Sequence, residues 1–277
     1  MIVDWKKSVS ASPSTVTIRD ITNYVDICPV ANSPIDSFYI ERKNLLRAIT
    51  PEYANSNPSI SPLVLVGLIS LTENYFREVL AGIITICPKA KQKSATKSLN
   101  LATAWIGFGE MEKGAFENIS FSDPKTVKKN LNELVGINVS NINQISTPLD
   151  EFGKLCELRH AIVHSAGLLA GRNAVNLELP NSRNAVKIKV GYSELQEAAA
   201  VCTALVCAVN IELFINIATK WLKEWPRTPA YQGQDLNPLF KKVWSLFFSE
   251  FDQSNGLIED SLSQIKARNQ IIRTNAA

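Results

Sequence analysis

Five capping residues that are followed directly by proline mark where helices begin in this chain of 277 residues. The side-chain oxygen of such a residue accepts free N–H groups of the first turn, and proline at the first helical position loses no hydrogen bond. The pairs are Ser33-Pro34, Ser61-Pro62, Asp123-Pro124, Thr147-Pro148 and Asn237-Pro238. Together with the spacing of apolar residues they predict helices at 34–49, 62–87, 124–135, 148–168, 194–224, 238–250 and 257–272, and a shorter one near 95–106.

One segment breaks the helical pattern. Residues 175–179 and 185–190 alternate apolar and polar side chains on either side of a Pro-Asn-Ser turn, which predicts a β-hairpin near 174–190. The expected fold class is therefore mainly α: an antiparallel helical bundle with an inserted β-hairpin and a C-terminal helical hairpin. The expected domains are an N-terminal arm and helix at 1–60, the bundle at 61–225, and a linker with a helical extension at 226–277.

The composition is that of an ordinary globular protein, with 45% hydrophobic and 20% charged residues. The net charge of +3 is compatible with nucleic-acid binding but does not by itself indicate it. Polar residues interrupt the apolar stretches at 63–87 and 198–222, so we expect buried helices there and no membrane span. The five scattered cysteines (Cys28, Cys87, Cys156, Cys202 and Cys207) form no CxxC pair, and no secretory signal opens the chain. We therefore expect free thiols and a cytoplasmic location.

The only two histidines, His160 and His164, lie four residues apart and directly follow Arg159 in an Arg-x4-His pattern. In the predicted helix Arg159 falls on the apolar stripe, and Glu157 shares the adjacent polar stripe with the histidines. The helical repeat separates Arg159 from His164 by about 140°, a gap that the long arginine stem can span. Histidine exchanges protons near neutral pH and arginine forks onto phosphate oxygens. Together these residues indicate acid–base chemistry on a phosphodiester.

The motif resembles that of the HEPN superfamily, in which Arg-x4–6-His lies on a long helix with a polar residue directly after the arginine. Arg159, His160 and His164 match these three positions. The earlier segment at 71–78, where Glu73 lies close to aromatic residues, is similar to an early HEPN helix. The resemblance covers about residues 61–224.

This resemblance implies a metal-independent endoribonuclease that needs no cofactor and whose composite site forms between two copies in a homodimer. His164 is expected to be the general base, and either His160 or His164 of the second copy the general acid. Arg159 is expected to hold the scissile phosphate, with Glu73 and Glu157 in supporting roles. The resemblance further implies a toxin–antitoxin or anti-phage setting and a neutralising or defence-system protein partner. A catalytically inactive RNA- or protein-binding module of the same family is the alternative.

Less specific interpretations remain open for these residues. The histidines could be ordinary surface residues, and Arg159 could pair structurally with Glu73. Cys156, His160 and His164 are all potential zinc ligands, but the helical rise places the first and last about 12 Å apart, too far to share one ion. No metal is therefore expected.

Two further patterns bear on partners. Lys125, Lys128 and Lys129 open a predicted helix and are candidate RNA-binding residues, although a run of charges is more often simply solvated. The segment at 239–251 carries more aromatic side chains than water would favour. We expect it to pack on the bundle, with a dimer or partner contact as the alternative.

Overall fold

The computed structural model describes residues 16–26, 32–99, 101–106 and 111–276. They fall into two compact units divided after residue 31. The first unit contains a short 3₁₀ helix (Ile21–Tyr24), whose first turn is capped by Asp20 through a 2.9 Å bond from the Thr22 amide. Most of the expected N-terminal arm, including residues 1–15, lies outside the described residues, and so does Cys28.

The second unit is mainly helical, as expected. Its α-helices in chain order are α1 (Pro34–Leu46), α2 (Pro51–Ser56), α3 (Ile60–Ile86), α4 (Pro88–Ser94), α5 (Thr103–Ile106), α6 (Met111–Gly114), α7 (Pro124–Val135), α8 (Asn143–Ser165), α9 (Gly171–Asn176), α10 (Tyr192–Lys223), α11 (Asn237–Phe247), α12 (Glu250–Ser254) and α13 (Gln264–Ala276). No extended strand occurs among the described residues.

Two of the five capping signals cap the predicted helix starts, and the other three lie inside their helices. Helix α3 begins at Ile60, before Ser61, and α11 already includes Asn237. Ser33 accepts a hydrogen bond from the Asp36 amide, and Asp123 accepts from the first-turn amides of α7, as predicted. Helix α8 instead begins at Asn143 and continues through Pro148, which lies inside it. The proline only removes one hydrogen bond near the start, where the packed remainder of α8 maintains the helix.

The predicted hairpin near 174–190 is wrong. Its first half begins inside α9, and its second half pairs with the chain just after α8, through an isolated antiparallel bridge between Leu168 and Lys187. The Ile188 amide donates to the Gly167 carbonyl at 2.8 Å. This register buries Val190 and packs Ile188 against the core, whereas Val175 in the other half is 75% exposed. A hairpin with residues 175–179 would have offered little apolar surface to bury.

Helices α3 and α10 form the centre of the unit. Helix α3 packs against α1, α8, α10 and α11, and α10 also packs against α8 and α11. Their apolar side chains, among them Phe76 and Leu213, are fully buried. One polar link crosses this core: Asn210 accepts a hydrogen bond from the Tyr75 hydroxyl at 3.3 Å and donates to the Phe247 carbonyl at 2.8 Å. A buried amide with both ends satisfied fixes the relative register of three helices.

Within the described part of the chain, one helical stretch, Tyr192–Arg227, is long and apolar enough to cross a membrane. It consists of α10 and its short 3₁₀ continuation (Trp225–Arg227). Under half of its most apolar window is buried, and both Ile211 and Ile215 are exposed.

The C-terminal segment is bound to the bundle by buried aromatic rings and by a carboxylate. Phe240, Val243 and Phe247 of α11 are buried in the common core, as their periodicity predicts. Asp36 of α1 accepts hydrogen bonds from the Ser249 hydroxyl and from the first two amides of α12, at 2.7 to 3.2 Å. The side chain of Asp36 therefore caps a helix more than 200 residues away in the sequence.

Candidate functional site

Arg159 lies in the second half of α8, and its side chain extends to the edge of the core. Its residue is only partly exposed, and its Nε atom is buried without a hydrogen-bond partner. Within the described residues its guanidinium makes neither a hydrogen bond nor an ion pair. A buried guanidinium N–H without an acceptor costs free energy, so an oxygen ligand arriving here would be favoured.

The Arg159 side chain lines a groove of about 280 Å³. The groove lies between α8, the start of α7 and the start of α9, and its lining residues are Ser122, Asp123, Pro124, Gly153, Cys156, Glu157, Arg159, His160, Arg172 and Asn173. Gly153 makes this arrangement possible, because a Cβ atom there would stand 2.8 Å from Cγ of Pro124. The missing side chain thus lets the start of α7 approach α8 and close one end of the groove.

The two histidines occupy successive turns of α8 and are both exposed. His160 lines the groove beside Arg159, whereas His164 lies one turn further on, in the last turn of the helix. Their ring centroids are 4.8 Å apart and their planes are inclined by 49°. Among the described residues neither imidazole has a hydrogen-bond partner, so all four ring nitrogens are open to a ligand or a second chain.

Glu157 connects α8 to α9. One carboxylate oxygen accepts from Nδ2 of Asn173 at 2.6 Å, and the other accepts from Nδ2 of Asn176 at 2.8 Å. Asn173 is buried, so this bond lies largely outside water. Hydrogen bonds to a charged acceptor are stronger than neutral ones, and Glu157 therefore holds α9 against the groove.

Glu73 of α3 is buried and pairs with Arg77, one turn further along the same helix, at 3.0 Å. Arg77 also donates to the Ile119 carbonyl and lies over the Phe121 ring. The structural pairing of Glu73 with Arg159 that the sequence left open does not form. Glu73 does not line the groove, although its charge contributes to the raised pKa of Cys156.

We expect Arg77→Ala to lower the free energy of unfolding by about 2–3 kcal/mol, because it leaves the buried Glu73 carboxylate without its cation. Urea unfolding followed by circular dichroism measures this. Lys154→Ala is the matched control, since Lys154 forms an exposed pair with Glu151 at 2.7 Å and should change stability by less than about 0.5 kcal/mol. If Arg159→Ala destabilised the protein and Arg77→Ala did not, the pairing of Glu73 would have to be reassigned.

The three candidate lysines lie on α7, at different distances from the groove. Lys125 is exposed and directly follows the groove residue Pro124. Lys128 pairs with Asp150 of α8 at 3.3 Å, and Lys129 pairs with Glu133 at 3.8 Å. Both pairs involve exposed groups and therefore break at little cost.

Cys156 lies at the base of the groove. Burial, with a further contribution from the Glu73 carboxylate, raises the pKa of its thiol well above the ordinary value. The sulfur is therefore neutral near pH 7 and is a poor nucleophile. The described residues contain no group of three or more histidines, cysteines or carboxylates that could hold a metal ion.

Three residues of the site are absent from the sequence-based expectations: Arg172, Asn173 and Asn176. All three lie on α9, and the sequence reasoning assigned the end of this helix to a β-hairpin. The available signal was the polar content of Gly171-Arg172-Asn173, a few residues after the left-handed Ala166 and Gly167 that follow α8. The Glu157 carboxylate lies 16 to 19 residues earlier in the chain, and no local pattern indicated that it would meet these amides.

Comparisons of the chain with protein-family models, with curated proteins and with solved structures find no match.

Proposed function

We propose that the protein is a metal-independent endoribonuclease whose active site is built from Arg159, His160 and His164. The observation that carries the proposal is the unpaired guanidinium of Arg159, with its Nε buried, in a groove that also receives His160. An arginine without a protein partner beside two open imidazoles is suited to a substrate that carries negative charge and exchanges protons. A phosphodiester with a neighbouring hydroxyl is such a substrate.

The proposed reaction is an internal transfer at phosphorus. His164 removes the proton of the ribose 2′-hydroxyl, and the 2′-oxygen forms a bond to the phosphorus as the bond to the 5′-oxygen breaks. A second imidazole, from His160 or from His164 of a second copy, gives its proton to the leaving 5′-oxygen. Arg159 stabilises the charge that builds on the phosphate oxygens. The products are a 2′,3′-cyclic phosphate and a 5′-hydroxyl, so atoms and charge balance without an external oxidant or metal.

The proposal includes a homodimer, because the two histidines of one chain lie side by side on successive turns of α8, with ring centroids 4.8 Å apart. Two copies with their α8 helices facing each other would provide a base and an acid on opposite sides of one phosphate. This architecture, a HEPN-like bundle, and a cytoplasmic toxin–antitoxin or anti-phage setting with a protein partner come from the resemblance of Arg159, His160 and His164 to the HEPN motif. Glu157 would support the site by fixing α9.

A catalytically silent RNA- or protein-binding module is a second candidate. It is favoured by one observation: among the described residues, no side chain or backbone group orients either imidazole. General acid–base catalysis benefits from a fixed tautomer and ring position. A second copy or a bound RNA would have to supply that orientation in the nuclease.

The test of the proposed function is cleavage of bulk RNA and tRNA by the wild-type protein in EDTA. We expect new RNA ends that carry a 2′,3′-cyclic phosphate and a 5′-hydroxyl, so that a polynucleotide kinase labels the new 5′ ends directly, without prior phosphatase treatment. Cleavage that required added magnesium, or that left 3′-hydroxyl ends, would contradict the Arg–His mechanism. Tight binding without cleavage would favour the silent module.

A further inference from the structure

The groove beside the proposed active site contains a second arginine without a protein partner. Arg172, on the first turn of α9, is exposed and lines the groove together with Arg159. Among the described residues no carboxylate lies within 4 Å of either guanidinium. Two positive groups that face one small groove repel each other unless an anion lies between them.

The two carboxylates of the groove do not compensate these arginines by direct pairing. Asp123 uses both oxygens to accept from the Lys125 and Thr126 amides at the start of α7. Glu157 uses both of its oxygens for asparagines of α9. The carboxylates thus build the walls of the groove, and the arginine N–H groups remain available to a ligand.

The position of Arg172 is set by its neighbour in the sequence. Asn173 is buried and bound to Glu157, so the backbone that carries Arg172 is fixed to α8 even though the arginine side chain itself is exposed. Asn176 repeats the attachment one turn later. The ordering of α9 is therefore coupled directly to the placement of the second cation.

We propose that Arg172 binds a second phosphate of the RNA, next to the phosphate that Arg159 holds, and that Glu157 positions it through α9. This inference rests on the proposed function. The groove volume of about 280 Å³ accommodates a phosphodiester group, and the planar guanidinium fork matches two phosphate oxygens. The substrate class follows: a single-stranded RNA segment that extends past the cleaved bond across the start of α9.

Binding of a fluorescent 2′-O-methyl RNA oligonucleotide, which lacks the attacking hydroxyl, tests the assignment by anisotropy over a range of salt concentrations. One lost phosphate contact on a single strand lowers the slope of log K against log salt by about 0.7. We expect this decrease, with weaker binding, for Arg172→Gln. Arg183→Gln is the matched control, because Arg183 is an exposed arginine of the next loop that does not line the groove, and it should bind like wild type.

The role of Glu157 is tested by the same assay. Glu157→Ala should reduce the affinity for the oligonucleotide as much as Arg172→Gln does. The double variant should bind no more weakly than the weaker single variant, because both changes remove the same phosphate contact. Circular dichroism confirms that each variant is folded. Fully additive losses would show that Glu157 acts independently of Arg172 and would overturn the positioning role.

Cleavage kinetics separate this inference from the proposed function. If wild type cleaves RNA, Arg172→Gln should raise KM and retain kcat, because the second phosphate does not react. If the wild-type protein cleaves RNA and the Arg172→Gln variant has the same salt slope and the same KM, only the second phosphate site is overturned. A wild-type protein that binds the oligonucleotide through Arg172 but never cleaves RNA refutes the nuclease and leaves the site standing. Failure of the wild-type protein to bind the oligonucleotide overturns the second phosphate site, whereas only absence of RNA cleavage overturns the nuclease.

Inorganic phosphate distinguishes a free anion from RNA as the ligand. We expect phosphate to compete with the oligonucleotide only weakly, since it offers one charged group in place of a chain of them. Competition at phosphate concentrations comparable to those of the oligonucleotide would assign the groove to a free anion and overturn the RNA assignment.

Discussion

His164→Ala is expected to lower the rate of RNA cleavage by about 10²- to 10⁴-fold, the usual contribution of a positioned general base. The side chain lies at the exposed end of α8 and contributes no buried contact, so the variant should fold and unfold like wild type. Single-turnover cleavage in EDTA measures the rate. Because binding is mainly through phosphates, the affinity for the uncleavable oligonucleotide should hardly change.

His160→Ala identifies the second proton carrier. If His160 is the general acid, its loss should be as large as that of His164→Ala. If the acid is His164 of a second copy, the His160→Ala variant should retain most of the cleavage activity. In that case, diluting the wild-type protein below the dissociation constant of its dimer should abolish cleavage. Cleavage by His164→Ala at the wild-type rate would refute the assignment of the base.

The second large effect concerns stability. Asp36→Ala is expected to lower the free energy of unfolding by about 3 kcal/mol, because it removes the cap of α12 and leaves the buried Ser249 hydroxyl and two amides without an acceptor. Ser249 is only 5% exposed, so water cannot readily replace the carboxylate. Chemical unfolding and limited proteolysis after residue 225 would report the loss and show whether the C-terminal segment detaches first.

Asp235→Ala is the control for Asp36. Asp235 accepts a similar 3.0 Å bond from the Asn237 amide at the start of α11, but in an exposed position where water can substitute. We expect Asp235→Ala to lower the free energy of unfolding by less than about 1 kcal/mol. Equal losses for the two variants would show that burial of the Asp36 network adds nothing to ordinary helix capping.

The sequence was sufficient to predict most of the longer helices because their signals are local. Ser33 and Asp123 cap the helices they were expected to cap, and the apolar spacing locates α3 and α10 to within two residues at each end. Thr50-Pro51, a further pair of the same kind, opens α2, which is not among the predicted helices. Pro148 led to a predicted start of α8 that is too late, because proline is tolerated at more than one position near a helix start.

The site was predictable only in part, for a different reason. Arg159, His160 and His164 are recognisable from spacing within one helix. The groove depends on contacts between elements, such as the approach of Pro124 to Gly153 and the binding of Glu157 to the asparagines of α9, and no local pattern encodes them. Residues 185–190 do alternate and do form a bridge, but their partner is the segment after α8 and not residues 175–179. Which segment pairs depends on the apolar surface that pairing buries, and the sequence alone favoured the wrong segment.

The cap that Asp36 places on α12 also has a consequence during synthesis. The aspartate and its partners are 213 to 215 residues apart, so at ordinary translation rates the partners emerge roughly 10–40 s after α1. Until then α1 can pack on α3, α10 and α11, but its capping carboxylate has no helix to cap. A growing chain therefore forms this cap only after residues 249–251 have left the ribosome, and a chain cut short before residue 249 never forms it.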